Sequence, residues 1–591
     1  MRTPIFPPPR AIRYAAVVIA AVLAAAKDAR GQSASDAPVT LLPPMLVREH
    51  RDGPTWRYAA VGGLEILSRC DDGTTTAFVT SYLRRKMELA LLLPPTLQLQ
   101  QSVPEALILI TPAAQKAMNE ELARTMDAAK KSEASGYLTA PGAELQVYHL
   151  VRSLPQMTLI DGESTSLLLT LDPSQRGPVA LSGEASGFFK GLVDDGAYRD
   201  LTFTMQRIGG FLSGRVPALP SWFKSGFLSF YREINWTESG GTLKAGPVDW
   251  PSQDSAVPLL PPRVFFTGPL GGATPLTPRE SLLWGAQASL VFHWAYSDPL
   301  RRAALWKFAD LTSRQADTED LITRCFGVGS RSLAASWAAY LPRAAKSKLP
   351  LIDEASVKIA AFRLQDATAV EAARIKGDMG RKEISYVKDL DPLSVASYVE
   401  QTGAVLRGPG EDGASDPAEV AVLGLYDCDI GAADEALPFL AEAAAAHVAR
   451  PTLYVELAKI RDQRALAQPT GTEGKLGPEQ VAALIGLLRE SRRYAPAQAG
   501  AYQLAADIWN QAANPPSREN LALLDEGVEF FPGDFDLVAG SAKLYAQGGD
   551  GPDALRLVDH ALALSDPSSG LWLRLTALRA QIVAPAAAGK P

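Results

Sequence analysis

Small residues recur through the C-terminal half at a spacing that leaves the folding chain little choice. Ser491, Gly527 and Ala561 lie 36 and 34 residues apart, and each is followed about five residues later by Pro496, Pro532 or Asp566-Pro567. A repeat of this length holds one helical hairpin. Its two helices approach closely only where the facing side chains are small, and a proline ends the second helix. One hairpin cannot bury its own apolar faces, so hairpins stack and share an extended core. The surrounding composition agrees. Beyond about Leu351 the chain is rich in Ala, Leu and Glu and loses strand signals. A helical repeat region is therefore expected over residues 351–583, interrupted by Pro/Gly-rich breaks at Gly408–Pro417 and Gln468–Pro478. A disordered, frayed tail is expected at 584–591.

The N-terminal half reads differently. Tyr58–Ser68 is apolar and strand-like, with Gly62-Gly63 at a turn. From Thr75 to Leu93 apolar residues such as Val79, Leu83 and Met87 recur at helical spacing until Pro94-Pro95 stops them. Glu105–Thr111, Leu145–Leu150 and Gln156–Leu171 read as strands, and Asp161-Gly162 is a hairpin signal. Asp194-Asp195 can cap a helix over Gly196–Leu212, and Pro220 opens another over Ser221–Tyr231. Residues 237–280 are Pro/Gly-rich without a period and are expected as a long loop over a functional face. Helices resume at Glu280–Tyr296, Pro299–Thr312 and Thr318–Cys325, and a further one holds Trp337. Lys346-Ser347-Lys348 is the expected domain edge. The fold class is thus multi-domain and mainly α, with an α+β domain over 57–345 ahead of the helical array.

The first 31 residues read as an export signal. Arg2, Arg10 and Arg13 precede an apolar run from Ala15 to Ala26, and Ala29-Arg30-Gly31 offers small residues for cleavage before Gln32. An uncleaved anchor is the alternative. A Pro-rich extended segment follows over 32–56, and no later stretch is long and apolar enough to span a bilayer. An exported protein, periplasmic or extracellular, is expected. The net charge of -7 becomes about -11 without the signal, with no basic stripe, which argues against a nucleic-acid partner. Cys70, Cys325 and Cys428 form no C-x-x-C pair, so three buried thiols are expected ahead of one disulfide and a free thiol.

Two resemblances add to this reading. Ala542, Tyr545, Ala554 and Ala561 fall at the spacings of a tetratricopeptide repeat, and Leu423, Gly424, Ala436, Leu440 and Ala443 match an earlier unit. The second half thus resembles tetratricopeptide repeats with irregular insertions; a generic array of helical hairpins is the alternative. In the first half, Leu219-Pro220-Ser221-Trp222-Phe223-Lys224-Ser225-Gly226-Phe227, ending at Phe230-Tyr231, resembles the segment that follows the His-Glu-x-x-His helix in the peptidase MA-like family of gluzincins. That resemblance implies a thermolysin-like α+β domain over roughly residues 60–345.

The same alignment removes the chemistry. A gluzincin site takes two His at i and i+4, a Glu between them as general base, and a Glu on the next helix as third ligand. The resemblance puts Arg199 and Phe203 at the His positions, Asp200 at the general base and Ser225 at the third ligand. Arginine stays protonated and has no lone pair to donate, and phenylalanine has none. Only five His occur (His50, His149, His293, His447 and His560), and no two are spaced i, i+4. No catalytic residue, metal or cofactor is expected. The expectation is a non-catalytic pseudo-metallopeptidase whose repeats bind a protein or peptide; the alternative is a diverged hydrolase with an unusual site.

Overall fold

The computed structural model describes residues 55–117, 156–171, 208–236, 241–251, 258–268, 276–316, 319–390, 395–408 and 416–583. The expected export segment 1–31, nearly all of the 32–56 segment, the expected strand Leu145–Leu150 and the tail 584–591 lie outside these residues. The described residues belong to one compact unit.

Its first layer system is a six-stranded sheet. Strands β1 (Arg57–Val61) and β2 (Leu64–Ser68) form an antiparallel hairpin across Gly62 and Gly63, both at positive φ. Helix α1 (Asp72–Leu92), capped by the Asp71 carboxylate on the Thr74 N–H, leads to β3 (Glu105–Ile110), which lies parallel to β2. Strands β4 (Gln156–Ile160) and β5 (Thr165–Thr170) form the hairpin signalled by Asp161-Gly162. β5 lies parallel to β3 and β4 takes the edge.

Strands β2, β3 and β5 are buried along almost their whole length because both faces of the sheet are covered. Alternate side chains part to two cores. Leu64, Ile66, Leu107, Leu109, Leu167 and Leu169 pack with Val79 and Leu83 of α1. Leu67, Ala106, Ile108, Ile110 and Leu168 pack with Ala372, Ile375 and Met379, which come from a helix more than two hundred residues later.

The second layer system is helical and aromatic. Helix α2 (Ser221–Arg232) precedes an antiparallel sheet of β6 (Ile234–Trp236), β7 (Thr242–Ala245) and a later strand. Then come α3 (Pro262–Thr267), α4 (Pro278–Tyr296), α5 (Pro299–Thr312), α6 (Glu319–Phe326) and α7 (Ser330–Ala344). Trp222, Phe223, Phe227, Phe230, Phe265, Phe292, Phe308 and Trp337 fill this core. The stretch 237–280, expected as loop, therefore contains β7 and α3; each is too short to carry a period in the sequence.

The expected edge at Lys346-Ser347-Lys348 is bridged. Strand β8 (Leu349–Asp353) pairs back to β7, and β9 (Gln365–Asp366) pairs with β1. Strands thus continue past Leu351. β9 is two polar residues held by backbone pairing, which leaves no apolar alternation to read. All three cysteines are free thiols; Cys70 is buried and Cys325 and Cys428 are half-buried.

The rest is a stack of helix hairpins. They are α8 (Ala369–Leu390) with α9 (Val395–Arg407), α10 (Pro417–Asp429) with α11 (Ala433–Ala445), and α12 (Pro451–Ala467) with α13 (Pro478–Ser491). α14 (Ala499–Asn510) with α15 (Arg518–Phe530) and α16 (Phe535–Gln547) with α17 (Gly551–Leu564) follow, and α18 (Gly570–Val583) is the last described helix. The small residues stand where helices touch. A Cβ on Gly424 of α10 would lie 2.8 Å from Leu440 of α11, and one on Gly527 of α15 would lie 2.7 Å from the Tyr502 ring of α14. Ala436, Ala443, Ala542, Ala554 and Ala561 are fully buried. Ser491 is buried and donates to the Pro451 carbonyl at 3.0 Å. Helix α8 does two things at once: it starts the stack and covers the second face of the sheet.

Candidate functional site

Ser225 sits on α2, which buries Trp222, Phe223, Gly226, Phe227, Phe230 and Tyr231 on one side. The helix crosses α4 at Gly226, where a Cβ would lie 2.7 Å from the Phe292 ring. Ser225 itself is half-buried, and its carbonyl accepts the Ser229 hydroxyl at 3.0 Å. Arg199, Asp200 and Phe203 lie outside the described residues, as does His149; residues 208–212 of the expected 196–212 helix are helical. A gluzincin zinc site takes a carboxylate at the third ligand position. A serine hydroxyl is a poor zinc donor at neutral pH, so Ser225 does not fit one. His293 of α4 is buried with Nδ1 3.0 Å from the Tyr340 hydroxyl, and burial lowers its pKa, which keeps the ring neutral. Among the described residues no three His, Cys, Asp or Glu are placed to hold a metal ion.

A denser constellation lies where the β4–β5 turn meets the helix stack. Asp161 Oδ1 accepts the backbone N–H groups of Glu163 (3.0 Å) and Ser164 (2.7 Å), which closes the turn. Its other oxygen accepts Arg381 Nη2 of α8 at 2.8 Å, and Arg381 Nη1 donates to Asp429 of α10 at 2.9 Å. Asp378, one helical turn before Arg381, accepts Arg450 Nη2 and Lys382 Nζ, both at 2.8 Å. Lys382 also donates to Ser166 of β5 at 2.8 Å. Arg450 Nε lies 2.9 Å from Glu163 Oε1, and Glu163 Oε2 accepts the Thr452 N–H at 2.9 Å. Glu163 thus caps α12, where an exposed N–H and the helix dipole both favour an anion.

Glu163, Asp378, Arg381, Lys382 and Arg450 are buried, so their charges must balance locally. Burial alone would raise the Asp378 carboxyl pKa. Arg450, Lys382 and Arg381 overcome this and hold it far below the usual carboxylate range. Burial likewise works against Asp161, and Lys382 and Arg381 hold it low. For Glu163 burial wins over Arg450 and its pKa is raised. Around this centre the turn is fastened further along the stack. Gln498 donates to the Gly162 carbonyl at 2.9 Å, and Ser102 and Ala495 exchange two hydrogen bonds of 2.8 Å. Arg374 of α8 grips Glu65 of β2 with two bonds of 2.7 and 2.6 Å.

The sequence reading places Asp161 at a hairpin turn. Asp161 does close its own turn, whereas Glu163 caps a helix nearly three hundred residues away. Asp378, Arg381, Lys382 and Arg450 went unread. The Asp-x-x-Arg-Lys spacing puts three charges on one side of α8, but the same pattern suits any solvated helix face.

The arrangement braces the turn against the stack. The turn covers the stack around α8, α10 and α12. Helix α12 packs against α14, and α14 against α16. Tyr502 of α14 faces α15, and Asp507, about 140° further round the helix, is exposed on the opposite side.

No family model matches the chain, and no curated protein matches it. Solved structures of tetratricopeptide-repeat (TPR) proteins do. A thermophilic TPR protein of Thermus thermophilus is 15% identical, with a TM-score of 0.25, over 35% of this chain and 98% of that one. YrrB, a TPR protein with an unusual peptide-binding site, is 16% identical, with a TM-score of 0.24, over 36% of this chain and 98% of its own. Yeast Tom70 is 11% identical, with a TM-score of 0.25, over 67% of this chain and 76% of its own.

Proposed function

We propose that this chain is an exported, non-catalytic scaffold. Its first half is a zinc-free relative of the gluzincin peptidases, and its helix stack binds a protein or peptide segment. The observation that carries the reading is the stack itself: hairpins closed on small residues such as Gly424 and Gly527, with first helices aligned side by side. Such a surface recognises extended or helical segments through many modest contacts. Ser225 in place of a carboxylate ligand supports the loss of metal chemistry, and the basic and apolar residues before Gln32 support export.

Elemental analysis of purified chain, prepared without chelators or a histidine tag, tests the peptidase side. Zinc well below one per chain is expected. One tightly held zinc per chain would sink the zinc-free reading. N-terminal sequencing of exported protein tests the location, with Gln32 the expected first residue.

A further inference from the structure

The charge on the stack is unevenly spread. Residues 499–583 hold eleven Asp and Glu against five Lys and Arg. Many of these acids are engaged: Asp525 with Arg556 and Tyr545, Glu526 with Arg492, and Asp534 at the N-terminus of α16. Two more stand on successive first helices, Asp507 on α14 and Asp536 on α16, and Asp462 stands on the first helix before them, α12.

Asp462 is only 6% exposed, and its Oδ1 has no hydrogen-bond partner among the described residues. A buried carboxylate oxygen without a donor is unusual, because desolvation without compensation costs free energy. No cation of the described residues offsets its charge: burial and then the nearby Asp507 raise its pKa, and Asp507 is raised in turn by burial and Asp536. The acids therefore feel each other across three helices. No three of them are placed to hold a metal ion. They call for cations spread along a line rather than one at a point. The chain already supplies one such cation at the far end. Arg574 of α18 lies 3.4 Å from Asp536, with its guanidinium over the Phe535 ring at 3.6 Å.

We infer that the face of α12, α14 and α16 receives an extended basic peptide, whose Lys or Arg side chains pair with Asp462 and Asp507. The inference rests on the scaffold reading above and names its partner class. The β4–β5 turn meets α12 and α14 at their starts, through Thr452 and Gln498, and Asp462 and Asp507 lie about two to three turns further along those helices. The peptide would lie across the first helices, and Asp462 would gain the donor it lacks.

The test uses the full chain and three labelled peptides of equal length, alternating Lys-Ser, Gln-Ser and Glu-Ser. Fluorescence anisotropy should show the Lys-Ser peptide binding, weakening as salt rises. Asp507→Asn and Asp462→Asn should each weaken it about fivefold or more. Asp507 is exposed, so its variant leaves the fold intact. Glu473→Gln, an exposed acid in the α12–α13 connection, should change nothing. Equal binding of the Lys-Ser and Gln-Ser peptides, or an unchanged affinity in Asp507→Asn, would overturn the inference. A photo-crosslinking residue at Gln511, one turn beyond Asp507, separates the two readings. Capture of the Gln-Ser or Glu-Ser peptide but not the Lys-Ser peptide leaves the scaffold standing and removes this partner class. Capture of none removes both.

Discussion

Arg450→Met strikes the centre of the charge constellation. Arg450 is 4% exposed and touches two carboxylates, Glu163 and Asp378. Its loss has unequal effects. Asp378 keeps Lys382 at 2.8 Å and Arg381 at 3.5 Å. Glu163, 1% exposed, keeps only the Thr452 N–H at the start of α12. Removing one partner of a buried ion pair costs about 3–5 kcal/mol, and here one carboxylate rather than two is stranded, so about 3 kcal/mol is expected. The pH dependence identifies the cause. Burial already raises the Glu163 pKa, and without Arg450 it rises further. A carboxyl whose folded value lies above its unfolded value of about 4.3 holds an extra proton in the folded state. Its stabilising effect is then lost as pH rises through the folded value. The deficit of Arg450→Met should therefore be smaller near pH 5 than near pH 8. Urea denaturation followed by far-ultraviolet circular dichroism measures it. Adding Glu163→Gln to Arg450→Met should recover about 2 kcal/mol, the coupling expected for neighbours in one network. A deficit under about 1 kcal/mol, or one that is equal at both pH values, would refute the account, since those belong to an exposed pair.

Other outcomes follow from single residues. Gly226→Ala would push a methyl to 2.7 Å from the buried Phe292 ring, and should cost about 1–3 kcal/mol by overpacking; an unchanged urea midpoint would mean that α2 and α4 do not cross so closely. Gly527→Ala should cost a similar amount against Tyr502, whereas Gly486→Ala on the exposed side of α13, with nothing within 4 Å, should stabilise by about 0.5–1 kcal/mol. If both alanines shift the midpoint in one direction, the close-contact argument fails. Glu105, buried beside the Tyr82 hydroxyl at 2.8 Å, has its carboxyl pushed up to about 8 by burial. The folded state then holds an extra proton between about pH 4.5 and pH 8, so stability falls as pH rises across that window. Glu105→Gln should flatten the slope, by up to about 1.4 kcal/mol per pH unit; parallel curves for the two proteins would contradict this.

What could be read from the sequence depended on how local its cause was. The Asp161-Gly162 hairpin, the proline that opens α2 and the run Pro299–Thr312 each carry their signal within a few residues, and the structure has them. The small positions of the stack were legible too, because Gly424 and Gly527 meet a helix of their own hairpin. The β-strands were legible as apolar runs, but not what covers them. The runs of consecutive apolar residues in β3 (Ala106–Ile110) and β5 (Leu167–Leu169) say that both faces are buried and leave the covering element unnamed. The candidate zinc positions divide differently: Ser225 is described, while Arg199, Asp200 and Phe203 fall outside the described residues.

The constellation around Arg450 was illegible for a physical reason. Asp161, Glu163, Asp378, Arg381, Asp429 and Arg450 come from the β4–β5 turn and three helices of the stack, and each alone suits a solvated surface. A charge is a surface residue or a core residue according to what arrives beside it, and nothing local records the arrival. Helix α8 makes the arrival obligatory. Its apolar side (Ala372, Ile375, Met379) must cover the sheet, and that brings Asp378, Arg381 and Lys382 against the turn, where unpaired charge would be costly. Turn and stack are thereby coupled: the sheet needs the first helix of the stack to complete its core, and the stack needs the turn to balance its charges. A domain boundary drawn between residues 345 and 351 would divide both core and network, because both cross it through space. The turn engages α12 and α14 at their starts, through Thr452 and Gln498, and Asp462 and Asp507 stand further along the same helices without a cation among the described residues.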